Sequence, residues 1–226
     1  MKGLQMKFSE NTMSILKNFS SINQSIVFKA GNELRTISPQ KTVMAIATIE
    51  DEIPSNACVY DLSRFLSAYS LYGQPTLEFN EKNFVISEGR RKTKYTYAEP
   101  SMVITPPDKE IKIPSVDVQV EIEWSDLQSV IKASGILQLP EVAFVGEGGV
   151  CYLRAIDSGN PTADTFGVEL GETNDTFTLI IKTENLKILP KNYKVSLSSA
   201  GISKFETEGL MYFIAIESKS TYKKGE

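Results

Sequence analysis

Apolar residues fall into short runs of two kinds, and the order of those runs recurs along the chain. Met13, Leu16, Phe19 and Ile22 return at steps of three and leave Ser14, Lys17, Asn18 and Ser21 on the opposite side. That spacing predicts an amphipathic helix with Ser9 as its N-cap. A strand at Met6–Phe8 precedes it, and strands at Ser25–Ala30, Glu33–Ser38 and Lys41–Glu50 follow, with Gly31-Asn32 as a candidate tight turn. The second pass begins with a strand at Ala57–Tyr60 and a helix capped by Asp61, reaching about Tyr72, whose apolar face is Leu62, Phe65, Leu66 and Tyr69. Strands at Thr76–Asn80, Phe84–Glu88 and Lys92–Tyr97 close it; the last shows the period-two alternation of a half-buried strand.

The same order returns in the second half. A strand at Val118–Glu123 leads to a helix over about Ser125–Gly135, then strands near Glu141–Gly146, Val150–Ile156 and Asp164–Leu170. Gly146-Glu147-Gly148-Gly149 lies between two strands and reads as a hairpin turn; a phosphate-cradling loop would need a helix after it. The fourth pass offers Phe177–Lys182, a short helical segment at Thr183–Leu189 stopped by Pro190, and strands at Tyr193–Ser198, Ile202–Glu206 and Met211–Glu217. The polar residues from Ser218 to Glu226 read as a frayed tail. Four βαβββ units therefore make an α+β protein of two similar domains, 1–108 and 109–226. Pro100, Pro106, Pro107 and Pro114 stiffen a connector from about residue 99 to about residue 117.

Composition narrows the chemistry. The 226 residues include no histidine, so the commonest general base near neutral pH is missing, and with two distant cysteines no zinc site of nitrogen and sulfur ligands can form. Cys58 and Cys151 sit in apolar runs and read as small buried hydrophobes. Asp51 with Glu52, or Glu121 with Glu123, could be paired carboxylates, yet neither pair has a positioned base or nucleophile beside it. No apolar run has the length of a membrane span, and Met1–Lys7 lacks the apolar core of a signal peptide. A non-catalytic protein without cofactor or metal is expected. The net charge of −4 argues against tight nucleic-acid binding over the whole surface. Superposing the repeats nevertheless sets Lys17 on Lys132 and Arg64 on Lys187, one base per helical segment beside an apolar pair.

The run Leu16-Lys17-Asn18-Phe19 with Ile22-Asn23 resembles the first helix of the DNA polymerase sliding clamps of T-even-like bacteriophages. Val59-Tyr60-Asp61-Leu62, Pro100-Ser101, Asp126-Leu127-Gln128 and Asn192-Tyr193-Lys194 continue the likeness in one register over nearly the whole chain. The resemblance implies two DNA-clamp domains per subunit and three identical subunits in a ring, with helices facing a central hole and antiparallel sheets as the outer wall. Twelve helices about 9 Å apart have a centreline diameter of about 34 Å, and removing one helix thickness of about 11 Å leaves about 23 Å, enough for duplex DNA. Eight helices would leave about 12 Å.

Lys17, Arg64, Lys132 and Lys187 are then the expected DNA-facing bases, attracting phosphates without reading sequence. The resemblance also implies a clamp-loader ATPase and a replicative polymerase whose C-terminal peptide docks near the connector, with Ile104, Ile111 and Ile113 as the candidate rim. The subunits would join through Lys94, Tyr95 and Thr96 of one copy and Phe166, Gly167 and Val168 of the next. The cytoplasm of an infected bacterial host is the implied location. Two departures stand out: Gly135 occupies a place where relatives tend to carry a second base, and the tail Tyr222-Lys223-Lys224-Gly225-Glu226 is unlike theirs. The alternative is a non-encircling scaffold or binding protein built from the same repeats.

Overall fold

The computed structural model describes residues 4–225; Met1, Lys2 and Gly3 of the N-terminal segment and Glu226 of the tail lie outside the described residues. The chain divides into two compact units, Met1–Lys109 and Glu110–Glu226.

In the first unit, β1 (Leu4–Met6), α1 (Glu10–Ile22), β2 (Ile26–Phe28), β3 (Gly31–Ile37) and β4 (Val43–Ile53) make one pass. β5 (Ala57–Val59), α2 (Leu62–Tyr69), β6 (Thr76–Phe79), β7 (Asn83–Glu88) and β8 (Arg91–Thr96) make the second. Strands β1-β6-β7-β8 form an antiparallel sheet in that order, with β8 at its edge. The expected turn at Gly31-Asn32 is absent, because β2 pairs with β5 and not with β3. Gly31, at φ 115°, opens β3, and the β3–β4 register shifts between Gly31 and Glu33. Only glycine holds that backbone geometry without strain.

The core of this unit is aromatic. Phe65 of α2 is fully buried, with ring centroids 5.0 Å from Phe84, 5.3 Å from Tyr95 and 6.0 Å from Phe28. Those separations suit edge-to-face and tilted packing, which adds to the apolar area buried.

The second unit repeats the plan with β9 (Val118–Ile122), α3 (Trp124–Leu137), β10 (Glu141–Glu147), β11 (Val150–Ile156) and β12 (Phe166–Glu172). It continues through β13 (Thr176–Lys182), β14 (Tyr193–Ser198), β15 (Ile202–Thr207), β16 (Leu210–Ala215) and β17 (Thr221–Lys223). One sheet runs β12-β11-β10-β13-β17, and β9, β14, β15 and β16 pair in antiparallel succession. Gly148 and Gly149, at φ 60° and 88°, form the two-residue turn between β10 and β11, the left-handed pair that suits a tight hairpin.

Two expectations fail here. The fourth helix is a single 3-10 turn, Thr183–Asn185, so the described residues hold three α-helices and not four. The tail is not frayed: β17 pairs with β13, the Tyr222 hydroxyl donates to Asp175 at 2.9 Å, and the Gly225 amide donates to the other carboxylate oxygen at 2.8 Å.

Candidate DNA-facing surface and subunit edges

The helices hold their bases outward because their apolar stripes are buried. In α1 the Ser9 hydroxyl accepts from the Thr12 amide at 3.1 Å, and Asp51 accepts from the Ser9 amide at 2.8 Å, so two otherwise orphaned donors at the N-terminus are satisfied. Ile15, Leu16, Phe19 and Ile22 are buried and Lys17 is exposed. In α2 the Asp61 carboxylate accepts from the Arg64 amide at 2.8 Å, while Leu62, Phe65, Leu66 and Tyr69 face the core and the Arg64 side chain faces solvent. The two helices pack against each other, which sets Lys17 and Arg64 on adjoining rods.

Lys17 also lines an open groove of about 720 Å³ shared with Lys7, Ser9, Ser14, Ser70 and Gln74. Lys7 escapes sequence reading because it lies just outside the helix whose period reveals its neighbour.

In α3 the Asn192 side chain accepts from the Trp124 amide at 2.8 Å, doing from a distant loop what the N-cap Glu123 does not. Gln138 ends the helix at φ 55° and ψ 40°, and the Leu139 amide returns to the Ser134 carbonyl at 2.8 Å. Leu127 and Val130 are buried and Lys132 is exposed. Lys187 is exposed as well, but it follows the 3-10 turn in irregular chain and is not carried by a helix. Leu186 and Ile188 on either side of it are buried. The Tyr193 hydroxyl donates to the Leu189 carbonyl at 2.6 Å and the Leu189 amide donates to the Tyr212 hydroxyl at 3.2 Å. Burial raises both phenols well above the ordinary tyrosine range, so they remain hydroxyls that hold this segment in place.

The expected joining strands are both sheet edges: β8 has β7 as its neighbour and β12 has β11. Lys94 and Thr96 are exposed, whereas Tyr95 turns inward, against Phe65 and with its hydroxyl donating to the Asp61 carbonyl at 3.0 Å. Phe166 and Gly167 are exposed and Val168 is half-buried. Of the connector residues, Ile104 in the first unit is 42% exposed, and Ile111 and Ile113 in the second are half-buried.

Burial raises the thiol pKa of both cysteines, helped at Cys58 by the negative charge of Glu99 and taking Cys151 up to about 11. Neither is a ready nucleophile at neutral pH. Among the described residues no helix is long and apolar enough to cross a membrane.

Two units of two passes each, three passes running βαβββ and the fourth with a 3-10 turn in place of its helix, with open edges at β8 and β12, define the architecture of a DNA sliding clamp. A PCNA from A. fulgidus, solved with the C-terminal region of FEN-1 bound, superposes with a TM-score of 0.67 at 15% identity, covering 98% of this chain and all of that one. Residues 7–105 match the DNA polymerase processivity factor family model, and residues 119–218 match that of the gp45 sliding clamp, C terminal. The sliding clamp of Vibrio phage KVP40 is 37% identical over 220 residues, spanning 94% of this chain and 99% of its own length. That of Escherichia phage RB69 is 34% identical, spanning 96% and 99%. The chain belongs to the gp45 sliding clamp family, the processivity factors of phage DNA polymerases.

Proposed function

We propose that three copies of the chain close into a ring around duplex DNA and tether the replicative polymerase during processive synthesis. A closed ring resists dissociation topologically, so its inner surface needs only diffuse attraction to phosphates, and tight contacts would hinder sliding. The observation that carries this reading is the placement of Lys17, Arg64, Lys132 and Lys187. All four are exposed in a chain with net charge −4, at positions that the repeat pattern of the sequence aligns; Lys17, Arg64 and Lys187 each adjoin a buried apolar residue, and Lys132 lies two positions from buried Val130.

The helix count alters the geometric argument for three copies. Nine α-helices would close on a hole of only about 15 Å by the same spacing, too narrow for a duplex. The segment from Thr183 to Pro190 must therefore act as a fourth rod, and its buried Leu186 and Ile188 and its bonds to Tyr193 and Tyr212 give it a fixed path.

A clamp-loader ATPase opens and closes the ring, and the polymerase's C-terminal peptide docks at the connector around Ile104, Ile111 and Ile113, whose partial exposure leaves apolar area to cover. The PCNA solved with the C-terminal region of FEN-1 bound supports capture of a partner through its C-terminal segment. The role is non-catalytic and belongs to the cytoplasm of the infected host. Retention on DNA tests the encirclement. Clamps loaded on a nicked circle are expected to stay bound in moderate salt and to leave when one cut linearises it. Equal retention on cut and uncut DNA would refute the ring.

A further inference from the structure

The two edge strands carry opposite charges, and the strand pairings fix on which face. In β11, Leu153 and Ala155 point into the core, so their partners Val168 and Phe166 face the same way. Tyr152 lies opposite Glu169 and Val150 opposite Glu172, which sends both carboxylates to the outer face. The register shift between Cys151 and Tyr152 adds one residue to β12, so Glu169 and Glu172 stand one two-residue repeat apart, about 7 Å, although three positions separate them.

In β8, Tyr95 faces the core and the Thr93 hydroxyl lies 2.7 Å from that of Tyr72, which sends Lys92 and Lys94 to the outer face at the same spacing of about 7 Å. All four charged residues are exposed. Among the described residues none of the four has a salt-bridge partner: Arg154, on the neighbouring strand β11, pairs with Glu147 at 2.6 Å.

We propose that these charges form a two-rung ionic strip between copies, Lys94 on Glu169 and Lys92 on Glu172, which makes the joining of subunits directional. The inner face selects the antiparallel arrangement. It sets Tyr95 beside Val168 and Tyr97 beside Phe166, whereas a parallel arrangement, which would pair Lys92 with Glu169 and Lys94 with Glu172 instead, sets Arg91 beside Val168. Two β8 edges repel each other, as do two β12 edges, so isologous dimers are disfavoured and only head-to-tail contacts, the kind that close rings, remain. The bulge in β12 is the device that brings the spacing of the acids to that of the lysines.

This inference rests on the ring reading, and one experiment separates the two. Sedimentation equilibrium is run at low salt on the full chain and on three variants. Lys92→Glu/Lys94→Glu and Glu169→Lys/Glu172→Lys each make the two edges alike, and each is expected to self-associate at least about tenfold more weakly than the parent chain. The four-residue variant reverses both edges and is expected to recover association to within about threefold. Circular dichroism confirms that each variant is folded. Mixing the two double variants provides a second readout that does not need the four-residue chain: hetero-pairs form in the mixture although each variant alone stays apart, while a closed ring of three keeps one like-charged junction. Double variants that associate like the parent, or a mixture and a four-residue variant as weak as the separate chains, overturn the strip while leaving the ring. A parent chain that remains monomeric at every concentration overturns the ring and the strip with it.

Discussion

Replacing Lys17 by Gln is expected to change DNA attraction without changing the fold. The side chain is exposed, and the Ser9 cap and the buried stripe of α1 are untouched, so the stability change is expected within about 0.5 kcal/mol. In a ring of three copies the one substitution removes three charges. If each neutralises one phosphate, the dependence of log loading on log salt flattens by about 2.7, from a slope of about 0.9 per phosphate on duplex DNA. The assay is the fraction of labelled clamp loaded on primed circular DNA across a salt series, taken as the difference between variant and parent so that the loader's own salt dependence cancels. Sedimentation checks that the variant still assembles. The same change at Arg64, Lys132 and Lys187 tests the other rods one at a time. An unchanged slope for Lys17→Gln with normal assembly would refute the DNA-facing role. An unchanged slope for Lys187→Gln alone would show that the irregular fourth segment does not line the hole.

Phe65→Ala empties the centre of the aromatic cluster and is expected to cost about 3–5 kcal/mol in urea unfolding of the first unit; a loss below about 1 kcal/mol would mean that the cluster repacks freely. Burial favours the neutral form of Glu141, but hydrogen bonds from Lys219 and Ser158, with the ammonium charge, outweigh it and hold its pKa below the ordinary carboxylate value. A lowered folded-state pKa contributes stability that is present above the unfolded value and is lost as pH falls through the folded one. Glu141→Gln is therefore expected to flatten the acid limb of the stability profile while leaving its slope near neutrality unchanged, and an identical acid limb would disprove the linkage. Asp175→Ala removes the acceptor of both Tyr222 and Gly225, so the amides of β17 are expected to lose hydrogen-exchange protection while β10 and β11 keep theirs. Retained protection at Tyr222 would show that strand pairing alone holds the tail.

Much of this architecture is legible where local and tertiary demands agree. Ser9 and Asp61 announce their helices because a cap and an apolar stripe coincide, and both helices form there. The third helix shows its stripe, but its start is capped by Asn192, far away in sequence, which no local pattern reveals. The fourth fails for a physical reason. Pro190 leaves too few residues after β13 to offset the cost of helix nucleation, and Leu186, Lys187 and Ile188 alternate buried, exposed, buried with period two. The tail reads as polar and loose, yet Thr221-Tyr222-Lys223 has the alternation of a strand, and its docking depends on Asp175 and on a vacant edge of β13. Gly31 reads as a turn because glycine marks both turns and bulges, and the pairing of β2 with β5 decides between them. The recurrence of the bases is legible in the sequence; the outward acids of β12 are not, because a bulge shifts the alternation that would place them.

Polymerase product length on primed circular and short linear templates, with clamp, loader and ATP present, reads encirclement and tethering together. A ring that encircles DNA and tethers the polymerase predicts long products on circles and a collapse to clamp-free length on linear DNA, where the ring slides off an end. Products on circles no longer than those made without the clamp would rule out a tethering ring.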